Sequence, residues 1–415
     1  MLMRLLYLVI FMVVIDLINH FGLKAMLKRI KDSYFYKYNI IAYWSVAFLM
    51  AIVLLISLLI TGYPQLDYEK YRFYFYLFAF WLVFYLPRFV FSFFVVLQTI
   101  YYLLKNIRSR KGSYTVRRNI KRSYVVQKAG LTVGFLTFLI VIYGILIGKS
   151  DFKVTQIEIE LAELPAAFDG FRIAQFSDAH LGSFSDTKIA EKGFQILQNQ
   201  KPDMIVFTGD MVNNIADEIE PYFVALSKLE APYGKFSILG NHDMSDYVKW
   251  KNFDLKREYL LKLIRYQERC GFQVLENENI LIRKGDAEIA LIGVNNWGLP
   301  PFKPYGDLHK AMSGVENSAV KILLSHDPSH WKEQVLAKTD IDLTLSGHTH
   351  GAQMGIILPF FKWSPVQYIY TYWHGLYHIN NQHLYVNPGF GYIGFPGRIG
   401  MRPEITIFTL KKKYE

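Results

Sequence analysis

Long apolar runs fill the first 150 residues of this chain, and after them short apolar runs alternate with amphipathic stretches. Residues 41–60 and 131–148 carry no charge, and each is long enough to cross a hydrocarbon core of roughly 30 Å as a helix. Residues 5–21 contain Asp16, and residues 73–104 are interrupted by Pro87-Arg88, yet both keep a spanning character. The pattern therefore predicts a transmembrane domain over residues 1–150, with four helices at about 5–21, 41–60, 73–104 and 131–148. A first apolar run can be a cleaved leader, but no small-x-small site follows this one and three more spans come after it.

From residue 151 the period shortens. Val154, Ile157, Ile159 and Leu161 read as a strand, and the runs at 171–176, 204–208, 236–239, 321–324 and 343–345 read as buried strands. Between them, 187–200, 218–229, 256–269 and 329–336 carry a helical period. Gly285-Asp286 and Asn380-Asn381-Gln382 mark hairpins, and the tail over 384–410 is β-rich. This alternation predicts an α/β layered domain over residues 151–415.

Composition supports a membrane part: of 415 residues, 52% are hydrophobic and 16% aromatic. The net charge of +11 would suggest nucleic acid were it spread evenly, but residues 1–150 hold 19 basic against 4 acidic residues, and residues 151–415 hold 27 against 31. The excess lies in two loops. Lys24, Lys28, Arg29, Lys31 and Lys37 follow the first span, and residues 105–128 carry nine basic and no acidic residues. Basic loops stay cytoplasmic, so the chain after Gly148 is expected on the extracytoplasmic side of a cell membrane that it crosses several times. Membrane lipids are the partner this implies, anionic ones included; no nucleic acid is expected. Asp16 and Arg88 are costly in hydrocarbon, and either pair with each other or let Arg88 snorkel to the interface. Cys270 is the sole cysteine, so no internal disulfide forms.

The candidate chemistry sits where the short runs end. Asp178-x-His180, Gly209-Asp210, Gly240-Asn241-His242-Asp243, His326 and Gly347-His348-x-His350 each follow a strand run, and they hold five of the eleven histidines. Open α/β sheets gather their ligands at such strand ends. Taken singly, a Gly-Asp pair is a turn and a lone histidine is an ordinary polar residue. Together they supply what two divalent ions about 3.5–4 Å apart require: a shared oxygen ligand, further carboxylate and imidazole donors, and an open face.

In these blocks the sequence resembles the calcineurin-like metallophosphoesterase superfamily, over about residues 152–410. It is most similar to bacterial membrane-associated members in Gly347-His-Thr-His-Gly-Ala-Gln353, the run over 384–391 and Arg402-Pro-Glu404. The resemblance implies a four-layer α/β/β/α metallophosphoesterase sandwich behind the four transmembrane helices. It implies one ion on Asp178, His180, Asp210 and His350, and a second on Asp210, Asn241, His326 and His348, with Asp210 bridging. Mn, Fe, Zn or Co would all suit these donors. His242 would be a catalytic residue that donates to a phosphoryl or leaving-group oxygen, with Asp243 orienting it. Hydroxide shared by the ions would attack phosphorus in line.

Two departures stand out. Ala352 replaces a common glycine, and Asn387-Pro388-Gly389 replaces Ser-Arg-Gly, removing a positive charge near the substrate end.

The expected activity is metal-dependent hydrolysis of phosphomonoesters or phosphodiesters, with tethering favouring lipid-linked or envelope substrates. The alternatives are a catalytically weak membrane sensor or scaffold on the same fold, and a cytoplasmic enzyme acting on nucleotides or nucleic acid. The aromatic stretch over 359–374 reads either as a bilayer-surface or acyl-chain contact or as core packing. His374, His378 and His383 lack carboxylate spacing and read as ordinary polar residues, and Asn295-Asn296-Trp297 as a turn.

Overall fold

The structure is a computed structural model that describes residues 2–27, 31, 33–60, 68–108 and 124–413. Lys28 and Arg29 and most of the second basic loop, residues 109–123, lie outside the described residues. The chain divides into two compact units, Met1–Tyr63 with Tyr76–Tyr143, and Pro64–Phe75 with Gly144–Glu415.

The first unit is built from α1 (Leu2–Met26), α2 (Tyr34–Ile60), α3 (Tyr68–Arg108) and α4 (Tyr124–Leu146). These are four helices long and apolar enough to cross a membrane. Each extends past the apolar run that announced it at one end or both, because the polar residues that end a hydropathy window do not end a helix. On α4, Gly130 and Gly134 face Phe94 and the Pro87 carbonyl of α3, so that small residues let the two backbones approach.

Asp16 and Arg88 pair. Arg88 Nη1 lies 3.1 Å from Asp16 Oδ1, and the hydroxyls of Tyr43 and Tyr85 donate to the same carboxylate at 2.6 and 2.9 Å. The guanidinium also sits over the Tyr43 and Tyr85 rings at 4.8 and 5.2 Å. Three helices thus satisfy one ion pair, as a low-dielectric surrounding demands.

The second unit has two six-stranded sheets. Its elements run β1 (Lys153–Leu161), β2 (Arg172–Phe176), α5 (Thr187–Gln198), β3 (Met204–Phe207), α6 (Phe223–Ser227), β4 (Lys235–Ser237), α7 (Phe253–Arg269) and β5 (Phe272–Val274). There follow β6 (Glu278–Lys284), β7 (Ala287–Gly293), α8 (Leu308–Met312), β8 (Lys321–Leu324), β9 (Leu343–Ser346) and the small pair β10 (Ile356–Leu358) and β11 (Phe361–Trp363). β12 (Gly375–Ile379), β13 (Gln382–Val386) and β14 (Glu404–Lys412) complete it. The sheet orders are β1-β14-β2-β3-β4-β5 and β12-β13-β9-β8-β7-β6.

Side-chain parity explains the layering. Ile173, Val206 and Phe236 point inward to meet Leu291, Ile322 and Leu345 of the second sheet. Their neighbours Ala174, Phe176, Ile205 and Phe207 point outward, against Phe194 and Leu197 of α5 and Leu263 of α7. Ala290, Ile292 and Leu323 do the same against Leu308 and Ala311 of α8. Strands buried on both faces read as continuous apolar runs, and here they lie between two helical layers. Asp186 caps α5 by accepting from the Lys188 N–H, and Asn252 caps α7 by accepting from that of Leu255.

Two helices expected from periodicity differ. Residues 218–229 form a 3-10 stretch, Ala216–Tyr222, that leads into the short α6. Pro221 lacks an N–H, and the Glu218 carboxylate accepts from the amides of Asn213, Asn214 and Ile215. Residues 329–336 shrink to one π-type turn, Trp331–Val335.

Before that turn, buried His330 meets Ser325 Oγ at 2.8 Å and Gln334 Oε1 at 3.0 Å. Burial pulls its pKa down to about 4. The unfolded chain, with an ordinary histidine near 6.5, binds the extra proton between those values, so stability rises with pH across that window. Taking the protein from pH 7 to 4 should cost about 3 kcal/mol from this group alone. Chemical unfolding at several pH values should show that acid limb flatten in His330→Gln.

Candidate metal centre

Five strands deliver the candidate residues. β2, β3 and β4 run parallel, as do β8 and β9, so their carboxyl ends lie at the same side of each sheet. Asp178 and His180 follow β2, Asp210 follows β3, Asn241 to Asp243 follow β4, His326 follows β8, and His348 and His350 follow β9. The chain turns sharply at these points. Asp178, His180, Asp210, His348 and His350 all have positive φ, of 51°, 44°, 62°, 69° and 50°. Such left-handed backbone in non-glycine residues costs of order 1 kcal/mol each and persists where the surroundings impose it.

Glycines make the approach possible. A side chain on Gly240 would strike the Asp210 carboxylate, and one on Gly347 would strike the Ser177 hydroxyl and the Asp178 carboxylate.

All seven predicted ligands come together, in two overlapping sets. In the first, His180 Nε2 and His350 Nε2 are 3.0 Å apart, and His350 Nε2 is 3.2 Å from Asp178 Oδ1. In the second, His326 Nε2 lies 3.1 Å from Asn241 Oδ1 and 3.3 Å from His348 Nδ1. Asp210 Oδ2 reaches both, at 3.6 Å from His180 Nε2 and 3.2 Å from His326 Nε2. Asp178, His180, Asp210 and His326 are essentially buried. Convergent imidazole and carboxylate atoms, with an amide oxygen beside them, fit a first-row divalent metal.

The outward ring nitrogens are held too. His326 Nδ1 meets the Thr208 carbonyl at 2.7 Å, and His348 Nε2 meets the Tyr370 hydroxyl at 2.7 Å with Asp327 Oδ2 at 3.6 Å. Ligand histidines are oriented in this manner.

The electrostatics match. Burial opposes ionisation of Asp178, but His350 outweighs it and holds the carboxyl well below the usual range. Asp210 is held down likewise, chiefly by His326 against its burial. Burial keeps His180 and His348 below the ordinary histidine value. His326 rises to about 10 despite burial, because Asp210 and then Asp178 attract its proton. The field that draws a proton there would draw a cation.

His242 forms a further donor group with His180 and Asp210. Its Nδ1 is 2.7 Å from the Asn213 carbonyl, and its ring stacks on Tyr247 at 4.4 Å and meets His180 edge-on. Asp243, expected to help orient that ring, has a buried carboxylate that accepts from the amides of Asp210, Met211, Val212 and Gly240, while the ring itself meets the Asn213 carbonyl. Burial and then the Asp210 charge push the Asp243 carboxyl up to about 7, against the backbone donors.

His374, His378 and His383 belong to no donor cluster among the described residues; His378 and His383 stack on each other across the β12–β13 pair at 4.3 Å.

Sequence reasoning missed four neighbours: Tyr247, Asp327, Tyr370 and Arg398. Only Asp327, directly after His326, gave a signal. Arg398 is buried and brings Nη2 to 3.5 Å from His350 Nδ1, while Nε donates to the Gly391 carbonyl. A Cβ on Gly389 would lie 2.9 Å from that guanidinium. A buried guanidinium thus stands beside Gly389, in the run where the expected arginine is absent.

Comparisons with known proteins follow the same lines. A family profile described as Calcineurin-like phosphoesterase matches residues 171–352, and one described as Probable Calcineurin-like phosphoesterase, transmembrane domain, matches residues 3–149. An uncharacterized metallophosphoesterase of Bacillus subtilis is 35% identical over 268 residues, covering 62% of this chain and 85% of that one. A transmembrane protein with metallophosphoesterase domain from Bos taurus is 30% identical over 289 residues, covering 66% of this chain and 61% of its own length. Its Danio rerio counterpart is 28% identical, covering 67% and 61%. The chain therefore spans about three fifths of those two animal proteins.

Proposed function

Because the chain belongs to the calcineurin-like metallophosphoesterases, we propose that it is a membrane-anchored hydrolase that cleaves phosphomonoesters or phosphodiesters at a site for two divalent ions on the extracytoplasmic face. One observation carries the dinuclear reading: a single oxygen, Asp210 Oδ2, stands within 3.6 Å of His180 and 3.2 Å of His326, each in its own donor set. Asp178, His180, Asp210 and His350 would hold one ion, and Asp210, Asn241, His326 and His348 the other. When bound, such ions supply Lewis-acid charge at the phosphoryl oxygens and acidify a water.

The chain's own residues do the rest. Tyr370 fixes the ring of His348 by accepting from Nε2–H, Arg398 sets a guanidinium charge beside His350, and Asp243 fixes the turn that carries Asp210. His242 donates Nδ1–H to the Asn213 carbonyl, so its Nε2 donates to a phosphoryl or leaving-group oxygen when the ring is doubly protonated. Tyr247 stacks on that ring and, through its hydroxyl, holds the Asn241 amide. The two basic loops support a cytoplasmic side for themselves and the opposite side for the catalytic unit.

The test is turnover of aryl phosphomonoesters and diesters by the full chain in detergent, loaded in turn with Mn, Fe, Zn or Co and then stripped with a chelator. His242→Asn should lower kcat roughly 10²-fold with metal content unchanged, since acid–base and hydrogen-bonding contributions are of that size. Metal bound without hydrolysis of any ester would favour the sensor reading. A reporter fused at the C-terminus and active only in the cytoplasm would overturn the orientation.

A further inference from the structure

The pair β10–β11 is out of place in water. Its strands have three residues each, and the pair joins neither six-stranded sheet. Isolated two-stranded ribbons are marginal in water. Ile356, Leu358, Phe361 and Trp363 line one face of the ribbon, Ile357 pairs with Lys362 on the other, and Pro359-Phe360 form its tip. Exposure is 49% at Ile356, 47% at Leu358, 88% at Phe360 and 49% at Phe361, and the following loop adds Ile369 at 79%. Exposed apolar residues gathered on so short a ribbon mark an interaction site.

Its base has a different character. Lys362 donates to the His374 carbonyl and the Tyr377 hydroxyl and lies over the Tyr377 ring at 4.3 Å, while Trp363 Nε1 reaches the Tyr368 hydroxyl. An apolar tip above a belt of Trp, Tyr and Lys follows the polarity gradient of a bilayer interface. The base is also fastened to the metal centre. Ser364 Oγ donates to the Gly351 carbonyl at 2.7 Å, and Tyr370, packed with Val366, Trp373 and Met401, contacts His348.

We propose that this ribbon is a wedge that enters the lipid bilayer and holds the mouth of the metal centre at the interface, where the phosphoester head group of a membrane amphiphile is the substrate. A bilayer is the occupant because the chain carries its own: four helices of spanning length precede the catalytic unit, and only a short turn separates the end of α4 at Leu146 from the start of β1 at Lys153. The substrate class rests on the phosphoesterase reading; the insertion does not.

Cys270 is the sole cysteine and is buried, so Cys270→Ser gives a background for site-specific labelling. A polarity-sensitive dye on Phe360→Cys, in the full chain reconstituted into phosphatidylethanolamine–phosphatidylglycerol vesicles, should emit at shorter wavelength. It should lose most of its emission to lipids brominated in the acyl chain. The same dye on Val224→Cys, an exposed position on α6, should stay in water and unquenched. Water-like, unquenched emission at 360 overturns the wedge. So does quenching that appears only as protein density rises, which would make a second copy the occupant.

In a second arm, Phe360→Asp with Ile369→Asp should keep turnover of a soluble aryl phosphate and lose most turnover of phosphatidic acid in the same vesicles. Equal loss of both overturns the substrate claim. If the parent chain hydrolyses neither ester, the phosphoesterase reading fails and the dye alone decides insertion.

Discussion

Replacing Asp210 with alanine is expected to bring metal-dependent hydrolysis down by roughly 10⁴-fold, since the charge stabilisation that a metal site supplies amounts to several kcal/mol. The reason is geometric. One carboxylate oxygen serves two donor sets, so its loss weakens both at once, whereas loss of His350 or His348 touches one. The other oxygen, Oδ1, accepts from the His242 backbone N–H at 2.8 Å, so the same substitution also frees the turn that carries His242. Metal content measured on the purified full chain should fall from two ions per protein toward none for Asp210→Ala, and to about one for His348→Ala. Unchanged turnover in Asp210→Ala would remove the shared-ligand assignment.

Asp243→Ala should act on stability more than on chemistry. The Asp243 carboxylate is buried and takes four backbone N–H groups from two turns: Oδ2 accepts from Asp210 and Gly240 at 2.7 and 2.9 Å, and Oδ1 from Met211 and Val212 at 2.9 and 3.3 Å. Alanine would leave four buried donors without an acceptor, at a cost of about 4 kcal/mol. Asparagine is not a conservative replacement here. Its oxygen can serve one pair of donors, but its NH₂ then faces the other pair, so Asp243→Asn should recover only part of the loss. Denaturant unfolding of the full chain would rank the three proteins, and an alanine variant as stable as the parent would show that the clip is dispensable.

Much of the fold could be read in advance because its strands are buried on both faces. Runs such as Met204–Phe207 and Lys321–Leu324 have no polar face to confuse the period, and each ends where the polar residues begin. The histidine and aspartate blocks were legible for the same reason, since strand ends of parallel sheets place short motifs predictably. What failed was local. Glu218 carries a helical period but turns its side chain back onto the amides of 213–215, which a hydropathy pattern cannot show. Asp243 follows His242 in sequence, yet its side chain leaves in another direction, toward the backbone of β3's turn. Tyr370 and Arg398 come from irregular segments, where no periodicity says which way a side chain points. Arg398 stands beside Gly389 through the fold and not through the motif, so a charge that looked absent around Pro388 is present nearby in space.

The place of β14 bears on how the protein is made. This last strand lies inside the first sheet, parallel to β1 on one side and antiparallel to β2 on the other. No partner other than β14 is available to β1 in that sheet. The sheet therefore stays open until residues 404–412 have left the ribosome, by which time every helix of the first unit has been synthesised. Folding of the first sheet thus waits for residues 404–412, with long-range pairing as its slow step, and loss of β14 would leave β1 an unpaired edge beside an uncovered core.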